Sequence, residues 1–270
     1  MAEKTGIAWT DSTFNPWIGC TKVGPGCDHC YAEALMDKRW HKVQWGPGGE
    51  RKRTSATNWQ APMHWEKQHE AFAKTYGRRR RVFCASLADV FDNEAPAAWR
   101  AELFALIAAT PHLDWLLLTK RIGNVRGMAP PNGLPANVWL GATLVNQEEC
   151  DRDMHKLLAA PASVRFLSIE PMLGPIDLGY MREWQARNAR LLDWVIVGGE
   201  SGQGARPIQL RWVESIRRQC ELQGVAFFFK QWGGVTAAAG GCELAGAEFK
   251  EWPRASRMTT TASHQAQGAR

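Results

Sequence analysis

From residue 82 to residue 233 the chain repeats one pattern: a short apolar run, a polar break, then a stretch with helical spacing. The apolar runs are "VFCAS" (82–86), "DWLLLT" (114–119), "NVWLGATL" (137–144), "VRFLSIE" (164–170), "DWVIVGG" (193–199) and "VAFFFKQWG" (225–233), and each predicts a strand. Between them "APAAWRAELFALIAAT" (95–110) predicts a helix with Pro96 in its first turn. "NQEECDRDMHKLLAA" (146–160) predicts one opened by Asn146 and rich in early acids. "YMREWQARNA" (180–189) predicts a third, and "QLRWVESIRRQCELQG" (209–224) a fourth stopped by Gly224. Nearly continuous apolar strands alternating with helices are the pattern of a parallel α/β sheet. With "FNPWIGC" (14–20) as the first strand, seven strands are predicted. They fit a single (β/α) barrel, partial or complete, spanning 1–233; an open doubly wound sheet is the structural alternative.

Upstream, "YAEALMDKRW" (31–40) reads as a helix and "GPGGERKRTS" (46–55) as a turn-rich basic loop. "PMHWEKQHEAFAKTYG" (62–77) reads as a helix ending at Gly77. The Gly/Ala/Thr-rich remainder, 234–270, is expected to be an irregular or disordered extension.

Polar residues interrupt the predicted strands at their C-terminal ends: Ser86 with Asp89, Thr119 with Lys120, Thr143, Ser168 with Glu170, Glu200 with Ser201, and Lys230 with Gln231. Each alone is an ordinary loop start or helix cap. Together they predict a polar cavity at the end of the barrel where active sites are built.

Composition narrows the setting. Of 270 residues 45% are hydrophobic and 22% charged, as in ordinary globular proteins. No apolar run reaches the roughly 18 residues needed to span a bilayer, and the start has no signal-peptide pattern. The expectation is a cytoplasmic protein without a membrane partner. The net charge of +6 is concentrated in "ERKRTS" (50–55) and "GRRRRV" (77–82), near Trp40, Trp45, Trp59 and Trp65. Such runs are either solvated loops or a nucleic-acid surface with stacking aromatics.

Seven cysteines in a chain of this kind do not form a secreted disulfide framework. Cys84, Cys150, Cys220 and Cys242 are scattered and read as small buried hydrophobes. Cys20, Cys27 and Cys30 are different, because "CTKVGPGCDHC" packs three thiols into one turn-rich loop. Thiolates at that spacing bind zinc or an iron–sulfur cluster. A closed zinc site needs a fourth ligand, for which His29 and His41 are the candidates. A cluster with one iron free of protein ligands is the other reading.

Three cysteines just after a first strand and heading a (β/α) barrel resemble the radical S-adenosylmethionine superfamily. Its spacing is C-x3-C-x2-C with an aromatic before the last cysteine; here the first gap is six residues and His29 holds the aromatic position. Tyr31 after Cys30 resembles the "CY" pair of spore photoproduct lyase. "FNPWIGCTKVGPGCDHCYAE", "CASLADVF", "LLLTKR", "WLGATL", "LSIEPMLGPI" and "WVIVGGESG" resemble a phage-derived three-Cys-motif family of unknown function, grouped with radical-SAM barrels. The resemblance implies a [4Fe–4S] cluster on Cys20, Cys27 and Cys30, S-adenosylmethionine on its open iron, and an electron donor. It implies reductive cleavage to a 5′-deoxyadenosyl radical that abstracts hydrogen from a substrate, with nucleic acid or a nucleotide a candidate. A separate three-Cys-motif partner protein is a further implied partner.

Within that resemblance, Tyr31, Ser86, Asp89, Lys120, Ser168, Glu170, Gly198, Gly199 and Glu200 are the candidate cofactor contacts. The family's "GGE" stretch follows its second strand, whereas Gly198–Gly199–Glu200 follow the sixth here. A zinc-stabilised, non-catalytic nucleic-acid- or protein-binding α/β protein is the competing expectation.

Overall fold

The computed structural model describes residues 3–179 and 192–253. After β1 (Ser12–Thr13) the chain makes a short antiparallel ribbon from β2 (Trp17–Ile18) and β3 (Lys52–Arg53). Six longer strands follow: β4 (Arg80–Cys84), β5 (Leu113–Thr119), β6 (Val138–Thr143), β7 (Val164–Ile169), β8 (Trp194–Gly198) and β9 (Ala226–Gln231). They lie in the order β1-β4-β5-β6-β7-β8-β9, with every neighbouring pair parallel. A doubly wound sheet reverses its strand order at a switch point, and this one never does. The seven strands form a partial (β/α) barrel.

Its helices come from where the caps permit. α1 (Tyr31–Glu33) continues as a π-helical stretch, Ala34–Arg39. α2 (Ala56–Lys67) starts earlier than the predicted 62, because the Ser55 hydroxyl accepts from Asn58 N (3.3 Å). Pro62 sits inside that helix, whose first turn is held from outside by Trp59 Nε1–H donating to Pro16 O (3.2 Å). α3 (His69–Tyr76) ends at Gly77, as predicted, with φ 68°. α4 (Ala97–Ala108), α5 (Val125–Met128), α6 (Gln147–Ala159) and α7 (Leu210–Gln223) complete the set. Asn146 caps α6 by accepting from Glu149 N (2.9 Å). The helix predicted over 180–189 lies outside the described residues.

The first sheet strand differs from expectation. It is Ser12–Thr13, just upstream of "FNPWIGC", whose Trp17–Ile18 turns away to pair with β3. Local apolarity marked the segment, but only tertiary pairing decides which two residues join the sheet.

Strand alternation sorts the core into two layers. Val82, Trp115, Leu117, Leu140, Leu167, Val197, Phe227 and Phe229 pack outward with helix residues such as Leu103, Ile107, Met154 and Ile216. Phe83, Leu116, Trp139, Phe166, Trp194 and Phe228 face the lumen and pack with Trp9. The free edge of β9 is covered by the following segment: Phe229 N donates to Phe249 O (2.8 Å) and Glu251 N to Phe227 O (3.0 Å). Trp252 then stacks 4.8 Å from Trp194, beneath Arg81. The extension expected to be irregular therefore carries a hairpin, β10 (Glu243–Leu244) and β11 (Ala247–Glu248), and fills the gap beside β9. Residues 254–270 lie outside the described residues. Cys242 is not a core residue, since its thiol donates to Glu248 Oε1 (2.9 Å) in that hairpin.

Apart from the exposed Lys52, the cations of the two basic runs are buried or paired. Arg80 and Arg81 lie inside β4, each 8% exposed. Arg78 grips Asp11 through both terminal nitrogens (2.6 and 2.8 Å), and Arg79 faces Asp114 at 3.8 Å. Arg51 is buried against Asp92 (2.7 Å), and Arg53 pairs with Glu102 while its guanidinium covers Trp59. Acids far away in sequence neutralise cations that look clustered along the chain. No helix among the described residues is long and apolar enough to cross a membrane.

Candidate functional site

The loop bearing Cys20, Cys27 and Cys30 lies across the C-terminal ends of the strands. Its wide gap folds back through a tight turn at Pro25–Cys27. There a Cβ on Gly26 would come within 2.6 Å of the Val145 side chain and 3.5 Å of Lys120 Cε, so the loop rests directly on the segments after β5 and β6. Three arginines tie it down. Arg51 Nη2 donates to Thr21 Oγ1 (2.7 Å). Arg121, just beyond β5, donates to Thr21 O (2.6 Å) and to Cys20 Sγ (3.3 Å). Arg206 donates to Pro25 O (2.9 Å) and Asp28 (3.0 Å).

All three thiols are unpaired; Cys27 is buried, while Cys20 and Cys30 are partly exposed. Burial, with Asp89 nearby, pushes the Cys20 thiol up to about 12, against the opposing pull of Arg121. A metal must therefore displace that proton itself. Among the described residues the one group of three or more metal-ligating atoms within 4.8 Å of one another is Glu66, His69 and His112. The loop thiols, with or without His29 or His41, are not drawn together that tightly.

The predicted contact residues divide into two sets. Continuing the alternation that puts Phe83, Leu116, Phe166, Trp194 and Phe228 in the lumen places Lys120, Ser168, Glu170, Gly198 and Lys230 on the same side, above the aromatic floor. Glu170 pairs with Lys230 and accepts from Gln231 Nε2 (3.1 Å). It reaches β9 across Gly198, where a Cβ would lie 3.3 Å from the Glu170 Cγ and Cδ atoms. Lys120 forms no ion pair among the described residues, which leaves its ammonium available to an anionic group.

The second set holds the loop rather than facing the lumen. Asp89 is saturated: it accepts from Thr119 Oγ1 (2.8 Å), Lys120 N (3.1 Å), Arg121 Nη1 (3.1 Å) and Phe91 N (2.9 Å). It positions Arg121 under Cys20. Tyr31 donates to Ser86 O (2.5 Å), joining the helix after the loop to the end of β4, and Ser86 Oγ accepts from Asn15 Nδ2 (3.0 Å). Gly199 lacks a side chain for a packing reason, since a Cβ there would meet Trp232 O at 1.9 Å. Glu200 is engaged by neighbouring side chains. It accepts from Arg206 through Nε and backbone N (both 2.9 Å) and lies 2.9 Å from His29 Nδ1. Burial opposes its charge, yet Arg206 and His29 hold its pKa down at about 2.

Arg206 is the residue that sequence reading missed. Its partners Asp28 and Pro25 are 178 and 181 residues away. No local pattern marks such a contact.

No curated protein matches this chain, and no solved structure does. One family model covers residues 4–266, and the chain belongs to that family, described as protein of unknown function DUF5131.

Proposed function

We propose that this protein is an iron–sulfur enzyme of the radical S-adenosylmethionine type. The carrying observation is that a loop with three unpaired thiols is tied by Arg51, Arg121 and Arg206 across the mouth of a partial barrel, opposite the lumen-facing Lys120, Ser168 and Glu170. Cys20, Cys27 and Cys30 would hold a [4Fe–4S] cluster. Thiols on separate irons of a cluster need not approach one another as closely as ligands of one zinc ion, which suits the open spacing of this loop. Such a cluster supplies the single electron for reductive cleavage of S-adenosylmethionine.

The chain's own residues do the rest. Arg121 beside Cys20 offsets thiolate charge. Lys120 would pair with a carboxylate, and Glu170, alongside Lys230 and Gln231, would accept from an amine or ribose hydroxyl. The floor of Trp9, Trp139, Phe166, Trp194 and Phe228 keeps water from entering below. With Arg51, Arg53, Arg78 and Arg79 paired with acids and Arg80 and Arg81 buried in β4, the basic runs offer little open cationic surface to a nucleic acid, and the proposal stops at the cofactor.

One observation favours zinc instead. Glu200 accepts from His29 Nδ1 at 2.9 Å, the carboxylate–imidazole arrangement that orients a metal-ligating histidine. Anaerobic reconstitution separates the two. The proposal expects brown protein absorbing near ~400 nm with about four irons per chain, and 5′-deoxyadenosine on adding S-adenosylmethionine and a reductant. Cys20→Ala, Cys27→Ala and Cys30→Ala should each abolish iron binding while circular dichroism stays native. Colourless protein holding one zinc, lost together with the fold in all three variants, would refute it.

A further inference from the structure

A second cluster of metal-ligating side chains lies at the opposite end of the sheet. Glu66 is in the last turn of α2, His69 begins α3, and His112 sits in the turn that leads into β5. One ligand atom from each lies within 4.8 Å of the others. We propose that these three residues form a divalent transition-metal site, with zinc the fitting ion, that fastens the α2–α3 corner to the start of β5.

Two imidazole nitrogens and one carboxylate are a donor set that zinc accepts readily, with a fourth place for water. The ligands are already oriented. His69 Nδ1 lies 2.8 Å from the Glu66 carbonyl oxygen, a pure acceptor, so Nδ1 carries the hydrogen and Nε2 keeps its lone pair. Glu66 Oε2 accepts from the His112 backbone N (3.2 Å), which steers the other carboxylate oxygen to His112 Nδ1 at 2.5 Å. The His69 and His112 rings are stacked, with centroids 3.9 Å apart and planes at 12°. One dication can engage both imidazoles and the carboxylate at once, because a ligand atom of each already lies within 4.8 Å of the others. All three residues are half-buried, which limits competing water while leaving an entry path. Glu66 and His112 are 46 residues apart, so the ion would close a long loop that is otherwise joined here by hydrogen bonds.

The test uses the full chain with the loop thiols removed (Cys20→Ser, Cys27→Ser, Cys30→Ser), stripped by chelator and titrated with Zn2+ alone. One equivalent should bind, and Tm should rise with zinc concentration. Loss of a residue that merely orients a ligand weakens metal sites roughly 10–100-fold. His69→Ala, His112→Ala or Glu66→Gln in this background should weaken binding at least that much and abolish the Tm rise. Failure of the background protein to bind, or binding unaltered in the single variants, overturns the site. A parallel readout needs no variant: in the wild-type chain the His69 and His112 ring resonances should shift on adding Zn2+. Unmoved resonances under saturating zinc would overturn it equally.

Discussion

The two ends of the barrel lumen are built from different physics. The floor is aromatic: Trp194 alone lies within 6.4 Å, ring to ring, of Trp9, Trp139, Phe166, Phe228 and Trp252. The Trp194 Nε1–H donates to Glu251 O (2.9 Å), whereas the buried Trp9 Nε1 has no hydrogen-bond partner among the described residues. The mouth is held by charge: Asp89 with Arg121, Glu170 with Lys230, and Glu200 with Arg206 and His29. Dispersion and burial are indifferent to pH and unforgiving of lost volume. Ion pairs at a half-open rim respond to protons, salt and ligands. The lower half is held by packed aromatic volume and the upper half by paired charge.

Truncating the floor should have the largest effect on stability. Trp194→Ala removes a fully buried indole and should cost about 3–5 kcal/mol in urea unfolding. Under the iron–sulfur proposal, iron bound per folded chain should not change. Loss of iron binding in folded Trp194→Ala would show that the two halves are not separable.

Next comes the backbone seam between them. Gly199→Ala puts a Cβ 1.9 Å from Trp232 O, and a carbonyl cannot rotate aside as a side chain can. Overpacking should cost roughly 1–3 kcal/mol, and it should displace the adjoining Glu200 and so loosen the loop. Hydrogen exchange over residues 20–30 should rise in this variant but not in Trp194→Ala.

The smallest effect is electrostatic and carries a pH signature. Glu200 has its pKa lowered from 4.5 to about 2 in the folded chain, despite the opposing effect of burial. A lowered acid contributes stability that is present above its unfolded pKa and fades as pH falls toward the folded one. The stability gap between wild type and Glu200→Gln should be widest above pH 4.5 and close toward pH 2, reaching about 1.5 kcal/mol, the lower end for a hydrogen bond to a charged group. A gap independent of pH would remove Glu200 as the charged anchor of the cysteine loop.

Much of the fold is legible along the chain, because buried parallel strands read as short apolar runs. The runs beginning near residues 114, 137, 164, 193 and 225 became β5 to β9 within a residue or two at each end. Asn146 and Gly224 bound their helices where cap chemistry put them. The first strand was misplaced, since a two-residue pairing carries no periodic signal.

The site was less legible. Three thiols in one loop are visible to anyone reading the sequence. What each polar strand end faces is not, because adjacent residues point to opposite sides. Thr119 goes outward to Asp89, while Lys120 goes to the lumen side beneath Gly26. The charged runs misled for a related reason. Arg78 to Arg81 look like a basic surface until Asp11 and Asp114 arrive from other strands and segments.

The sequence by itself determined the six longer strands, the capped ends of the helices between them, and the placing of Cys20, Cys27 and Cys30 in one loop, because these depend on neighbours a few residues apart. Only the tertiary structure decided which polar residues face the lumen, which charges are neutralised, and that Arg206 clasps the cysteine loop. Those outcomes depend on groups that meet across 30 to 181 residues of chain, as Thr119 meets Asp89 and Arg206 meets Pro25. Short-range pattern has no access to such encounters.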